Sequence, residues 1–192
     1  MTLSLKIAGA TFTKFVGVSG TPVLLNTLVS PLTRSGNEAA GYNYTTASGG
    51  SAYLSSVKLP AGNSGELITK LTSDGQGLTI IMSPVRTDAL YGTAGNYGVL
   101  SYTPSLIRIV ANGVTGIVPN VANIPFVSGM LFKITRTGNA WTASVSTDEG
   151  VTWVLIHNYA ILSDVDMYPC IQSTGAGTAT AANLQLTNAV VV

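Results

Sequence analysis

The chain has 192 residues, of which 46% are hydrophobic and only 9% charged, with a formal net charge of +1. That length suits one domain, with or without a small appendage. A usual share of charged residues is about 25%, so Thr, Ser, Asn and Gly, or another protein, must cover the surface here. The Lys and Arg residues stand singly, Lys133 and Arg136 being the closest pair. This excludes the clustered basic patch that phosphate binding needs, and nucleic acid is not an expected partner.

No long window places apolar residues at i, i+3, i+4 and i+7, so helices are not expected. Short runs rich in Val, Ile, Thr and Tyr recur instead, about eight to twelve residues apart, which reads as an antiparallel sandwich or barrel. Strands are predicted first at 3–8, 11–18 and 22–29, joined by Ala8-Gly9-Ala10 and Ser19-Gly20-Thr21-Pro22. Residues 30–50 read as an irregular connection, with Tyr42 and Tyr44 inside it. From Ser51 the rhythm tightens, and strands are predicted at 51–59, 65–72, 77–83, 97–103, 105–111, 114–118, 130–137, 139–147, 151–158, 166–173 and 180–191. Turns fall at 60–65, 73–77, Ala111-Asn112-Gly113 and Thr137-Gly138-Asn139, and the longest loop of this part runs from Ser83 to Asn96. Asn-Gly is a strong two-residue hairpin signal. The expected division is an N-terminal strand segment, 1–45, and a sandwich, 46–192.

One cysteine, Cys170, excludes an intrachain disulfide and reads as a small buried apolar side chain. No stretch of eighteen apolar residues occurs, so no membrane-spanning helix is expected. The opening Met1-Thr2-Leu3-Ser4-Leu5-Lys6 has no signal-peptide pattern, so synthesis in a cytosol without Sec export is expected.

The segment Ser146-Thr147-Asp148-Glu149-Gly150-Val151-Thr152-Trp153 follows S-x-D-x-G-x-T-W. Ser146, Asp148, Gly150, Thr152 and Trp153 are expected to build a structural hairpin. The Asp148 carboxylate accepts backbone N–H groups, Gly150 takes positive φ where the chain reverses, and Trp153 packs back over the turn. The segment resembles the Asp-box hairpin of sialidases, which recurs in lectin-like sandwiches and carbohydrate-binding modules. The longer run from Leu131 to Trp153, with Lys133-Ile134, Gly138-Asn139 and Trp141, is similar to concanavalin-A-like and laminin-G-like domains, as is Tyr168-Pro169-Cys170-Ile171. That resemblance implies an all-β antiparallel jelly-roll sandwich. It covers 100–192 well, 46–99 loosely, and says little of 1–45. The opening Lys6-Ile7-Ala8-Gly9-Ala10-Thr11-Phe12-Thr13 and the low charge resemble, in style, phage virion proteins such as head fibres, capsid decorations and tail-fibre tips.

The chemistry of an enzyme is not expected. A sialidase needs an arginine cluster and several Asp boxes, and this chain has one Asp box with Arg34, Arg86, Arg108 and Arg136 apart. A jelly-roll glucanase needs two carboxylates at about 5–5.5 Å. Only Asp164 and Asp166 share a strand face, without a third acid nearby. The same two carboxylates are the candidate calcium ligands, although no D-x-D-x-D-G loop occurs. No other cofactor is expected. His157, the one histidine, reads as a structural side chain. Sugar sites use exposed aromatic faces with polar donors, which makes Tyr91, Tyr97 and Tyr102 the glycan-binding candidates, while Trp141 and Trp153 are expected to pack within the hairpin.

Phe12, Phe15, Val16, Leu24 and Leu25 lie in apolar N-terminal strands and are the docking candidates. Exposed apolar strands are an edge-pairing hazard that natural proteins cover, so this segment is expected to dock on other virion proteins or sister subunits, giving a homo-oligomer. The function expected from these features together is a non-enzymatic phage virion component, a capsid decoration or fibre-like protein located on the virion and contacting host glycans. The alternative is a soluble carbohydrate-binding module; a glycan hydrolase is the weaker third.

Overall fold

The computed structural model describes residues 3–7, 10–14, 22–24, 33–37, 41–45, 51–53, 57–71, 78–85, 94–103, 106–111, 125–159, 164–173 and 180–191. Among them no helix is found. The strands, in chain order, are β1 (Leu3–Ile7), β2 (Ala10–Lys14), β3 (Pro22–Leu24), β4 (Thr33–Asn37), β5 (Gly41–Thr45), β6 (Ser51–Tyr53), β7 (Val57–Lys58), β8 (Gly65–Leu71) and β9 (Leu78–Ser83). They continue with β10 (Tyr97–Thr103), β11 (Leu106–Ala111), β12 (Leu131–Thr137), β13 (Ala140–Ser146), β14 (Val154–Tyr159), β15 (Tyr168–Ser173), β16 (Thr180–Thr187) and β17 (Val190–Val191).

Two antiparallel sheets carry the architecture. The larger runs β14-β13-β12-β8-β16-β5-β4, with β3 also paired to β16. The smaller runs β11-β10-β9-β15-β6. Period-two patterning explains why they pack face to face. In β12, Phe132 and Ile134 enter the main core while Leu131 and Lys133 turn to the opposite face. Leu67 and Leu71 of β8, Trp141, Ala143 and Val145 of β13, and Ile156 of β14 meet Ile80, Met82, Tyr97, Ile107 and Ile109 of the smaller sheet. Each large apolar side chain buried this way contributes roughly 1.5–3 kcal/mol. Gly98 is required where β10 crosses β9: a Cβ there would lie 2.3 Å from the Ile80 carbonyl oxygen.

A second, small cluster lies on the other face of the larger sheet. Ile68 and Leu131 are buried there under Trp153. Cys170 is buried against Ile81, as a small apolar side chain.

Several expectations need correction. Residues 30–50 are not an irregular connection: β4 and β5 form a hairpin, and β5 pairs with β16. Their composition, Thr-Arg-Ser-Gly-Asn and Gly-Tyr-Asn-Tyr-Thr, has no apolar alternation, so the ladder hydrogen bonds there have no signature in side-chain pattern. With β3 also on β16, strands from the expected N-terminal segment enter the larger sheet, whereas β1 and β2 pair with each other in a two-stranded sheet of their own. The strand expected at 151–158 begins at Val154, because the preceding residues are held by the turn described below. The run expected at 180–191 breaks at Asn188, which has φ 56°, and β17 pairs with β7. The strand expected at 114–118 and the turns expected at Asn112-Gly113 and 73–77 lie outside the described residues.

Candidate functional site

The β13–β14 hairpin is built around two side chains. The Ser146 hydroxyl donates to Asp148 Oδ1 at 2.7 Å and accepts from the Gly150 amide at 2.9 Å and the Asp148 amide at 3.3 Å. Asp148 Oδ1 accepts from the Thr152 amide at 2.9 Å, and Oδ2 accepts from the Thr152 hydroxyl at 2.5 Å. These bonds, those from Thr152 first and then that from Ser146, hold the Asp148 carboxyl down at about 2. Glu149 and Gly150 take φ of 59° and 85°, the left-handed region that favours glycine. Glu149 Oε1 meets Lys70 Nζ at 2.6 Å, which ties the tip to β8. Trp153 follows the turn and lies on Ile68 and Leu131, with Lys133 Nζ 4.1 Å above its ring centroid. The motif side chains are consumed by the turn itself, so their chemistry is that of a clamp.

Asp164 and Asp166 form a second clamp. Asp164 Oδ1 accepts from the Gly62 amide at 2.6 Å; Asp166 Oδ1 accepts from the Ala61 amide at 3.0 Å, and its Oδ2 faces Lys58 Nζ at 2.6 Å. The Lys58 hydrogen bond, then that from Ala61, lowers the Asp166 carboxyl below the usual carboxylate range. Between the two loops sits the Arg136 side chain, 1% exposed, which donates to the carbonyls of Asn63 at 2.7 Å, Val165 at 2.9 Å and Pro60. Burial pulls the guanidinium down, and Asp164 and Asp166 oppose that pull. This donor set does not fit a calcium ion. The best-placed oxygens already hold amides or an ammonium, and a buried cation stands beside them. Among the described residues no group of three or more His, Cys, Asp and Glu side chains could hold a metal. The candidate calcium ligands are therefore corrected to clasp residues.

The glycan-binding candidates separate. Tyr97 is 0% exposed, which removes it from any sugar-facing surface. Its ring packs on Trp141, His157 and Tyr159, with centroids 5.7, 5.8 and 6.3 Å away. Its hydroxyl and His157 Nδ1 lie 2.9 Å apart, joining the two sheets by one hydrogen bond across the core. Burial raises the Tyr97 hydroxyl well above the usual phenol range and lowers the His157 imidazole below its usual value. At neutral pH the pair is a neutral phenol and a neutral imidazole. Tyr102 lies in β10, and Tyr91 lies outside the described residues. Of the docking candidates, Phe12 falls in β2 and Leu24 in β3, while Phe15, Val16 and Leu25 lie outside the described residues.

Sequence reasoning missed the surface at β14. This strand is the free end of the larger sheet among the described residues. Its pairing with β13 slips between Ala143↔His157 and Ser144↔Leu155, so Ile156 is an inserted residue. The bulge buries Ile156 and His157 in succession, while Val154 and Leu155 are both 57% exposed. Beside them an open depression of about 370 Å³ is lined by Leu155, Ile156, His157 and Asn158. No sequence signal marks the bulge, since Val-Leu-Ile-His-Asn-Tyr alternates in neither register.

The two packed antiparallel sheets have a concanavalin-A-like jelly-roll fold, as the likeness to solved structures shows. No family model matches the sequence, and no curated protein matches it. Solved structures do match. The exoplasmic/lumenal domain of VIP36, in its Ca²⁺/Man3GlcNAc-bound form, aligns with a TM-score of 0.54 over 82% of this chain and 83% of its own, at 9% identity. Lectin II from Ulex europaeus aligns at 0.52 over 83% and 87%, at 13% identity. The lectin UEA-II complexed with galactose aligns at 0.52 over 91% and 90%, at 12% identity.

Proposed function

We propose that this chain is a non-enzymatic carbohydrate-binding domain whose sandwich contacts glycans. The observation that carries this reading is the match, over most of the chain, to structures of the VIP36 domain and of lectin II from Ulex europaeus, each of them also found with a bound sugar. The non-enzymatic part of this reading is supported by the acids among the described residues. Asp148, Asp164 and Asp166 accept turn amides, Glu149 pairs with Lys70, and Glu66 lies 3.9 Å from Lys133. An acid–base pair for glycoside cleavage needs carboxyl groups free to face one bond. The experiment is a glycan array probed with the labelled full chain, repeated with calcium and with chelator. Saturable binding to a defined set of glycans is expected, equal in both conditions, with no reducing ends released from the bound sugars. A blank array overturns the reading; hydrolysis of a bound glycan overturns its non-enzymatic part.

A second reading, an assembled virion component, is favoured by one observation: among the described residues β1 and β2 pair with each other and with neither large sheet. A hairpin of this kind is a natural docking arm, and a net charge of +1 gives little repulsion between copies. Light scattering of the full chain against a chain lacking residues 1–18 tests it. A defined oligomer that dissociates on deletion is expected, and two monomers would remove this reading.

A further inference from the structure

The geometry points to the bulged edge of β14 as a sugar subsite: the depression lined by Leu155, Ile156, His157 and Asn158 takes an uncharged saccharide. This rests on the carbohydrate-binding reading and assigns it a place.

Four observations converge on that edge. First, the volume of about 370 Å³ lies at the lower end of the roughly 300–1,000 Å³ typical of small-ligand sites, which suits one or two sugar rings. Second, its surface pairs an apolar element with neutral polar groups. Leu155 is over half exposed and offers a patch for the C–H face of a pyranose, and the exposed Asn158 amide both donates and accepts. Among the described residues no charged side chain lines the depression, which favours an uncharged ligand over a sialylated or sulfated one, whose charge needs a partner. Third, His157 is held from behind. Tyr97 is fully buried and its hydroxyl meets Nδ1 at 2.9 Å; when that hydroxyl donates, the neutral ring carries its proton on Nε2 and keeps a donor. Fourth, β14 is an edge of the larger sheet among the described residues; a sheet edge presents backbone N–H and C=O groups, and sugar hydroxyls match such groups without demanding a continuous ladder.

The last point decides between a sugar and a partner strand. Strand addition needs regular alternation of edge groups, and an inserted residue breaks that register. With the bulge at Ile156 in the middle of the strand, an added strand would lose its ladder where the depression lies. A small ligand loses nothing there.

The test is an NMR titration of the ¹⁵N-labelled full chain with uncharged oligosaccharides containing galactose or mannose, beside one sialylated oligosaccharide. Saturable shifts of the Leu155, His157 and Asn158 amides are expected with a neutral sugar. Binding by Leu155→Ser and by Asn158→Ala is expected to be at least tenfold weaker, with melting temperatures unchanged because both residues are exposed. A saturating sugar whose shifts fall elsewhere, and whose affinity both variants keep, overturns the subsite while leaving the carbohydrate-binding reading intact. Preference for the sialylated sugar overturns the uncharged class. A Leu155→Ser change that alters only the oligomeric state shows a protein-docking edge and overturns the subsite too. Absence of shifts with every sugar, together with a blank array, overturns both readings.

Discussion

Replacing Arg136 tests whether geometry or charge closes the two loops at one end of the sandwich. The side chain donates to three carbonyls on Pro60, Asn63 and Val165 and lies with its guanidinium carbon 5.7 Å from the Trp141 ring centroid. A hydrogen bond from a charged donor contributes about 1.5–3 kcal/mol when its loss leaves the acceptor dry. Here the acceptors belong to exposed or half-buried residues, so water recovers part of the loss, and about 1 kcal/mol per bond is the appropriate scale. Arg136→Ala is therefore expected to cost about 3 kcal/mol, and Arg136→Lys, which keeps the charge and at most one of the bonds, about 2 kcal/mol. For a domain of this length 1 kcal/mol moves the melting temperature by roughly 2–4 °C, so the lysine variant should melt about 4–8 °C lower. Urea unfolding followed by tryptophan fluorescence reads the change, since Trp141 borders the site. A lysine variant as stable as the parent would refute the forked clasp and leave only a charge effect.

Three further outcomes follow from other parts of the fold. Gly150→Val should destabilise by about 1–3 kcal/mol, because a β-branched residue resists the φ of 85° that the turn demands; an unchanged melting temperature would contradict the turn assignment. Gly98→Ala should destabilise by about 1–3 kcal/mol or more through overpacking, since its Cβ would meet the Ile80 carbonyl at 2.3 Å and the Ile81 Cα at 2.9 Å; a fully stable variant in urea would show that β10 does not approach β9 this closely. Stability should fall on acidification through His157. Its folded-state pKa is lowered by burial, so the contribution is complete above the unfolded value of about 6.5 and is lost as pH falls towards the lower folded value. Urea midpoints measured from pH 7.5 to 5 should drop in the parent and drop less in His157→Gln, and equal slopes would contradict the assignment.

The class of fold was legible because the strongest pattern lies where the core is. In β12 and β13 apolar and polar residues alternate around Trp141, and the turn at Ser146–Trp153 carries its own instructions in Ser146, Asp148 and Gly150. The sheet margins were not legible. β4 and β5 are held by ladder bonds between polar residues, and such bonds need no particular side chain. Tyr97 was misread for a related reason. A tyrosine after a loop looks the same in sequence whether its ring faces water or the core, and its true partner, His157, is sixty positions away. Asp164 and Asp166 showed a pair of acids, but only the fold brings Lys58, Arg136 and the 60–63 turn to them. The subsite on β14 depends on one inserted residue, which is a property of pairing between strands and not of either strand alone.

The most direct measurement is isothermal titration calorimetry of the full chain with the neutral glycan that binds most strongly on an array, in calcium and again in chelator. A saturable one-site isotherm with the same affinity in both buffers is the predicted result. Absence of heat, or binding that vanishes when calcium is removed, would contradict a carbohydrate-binding sandwich in which Asp148, Asp164 and Asp166 hold turns and not a calcium ion.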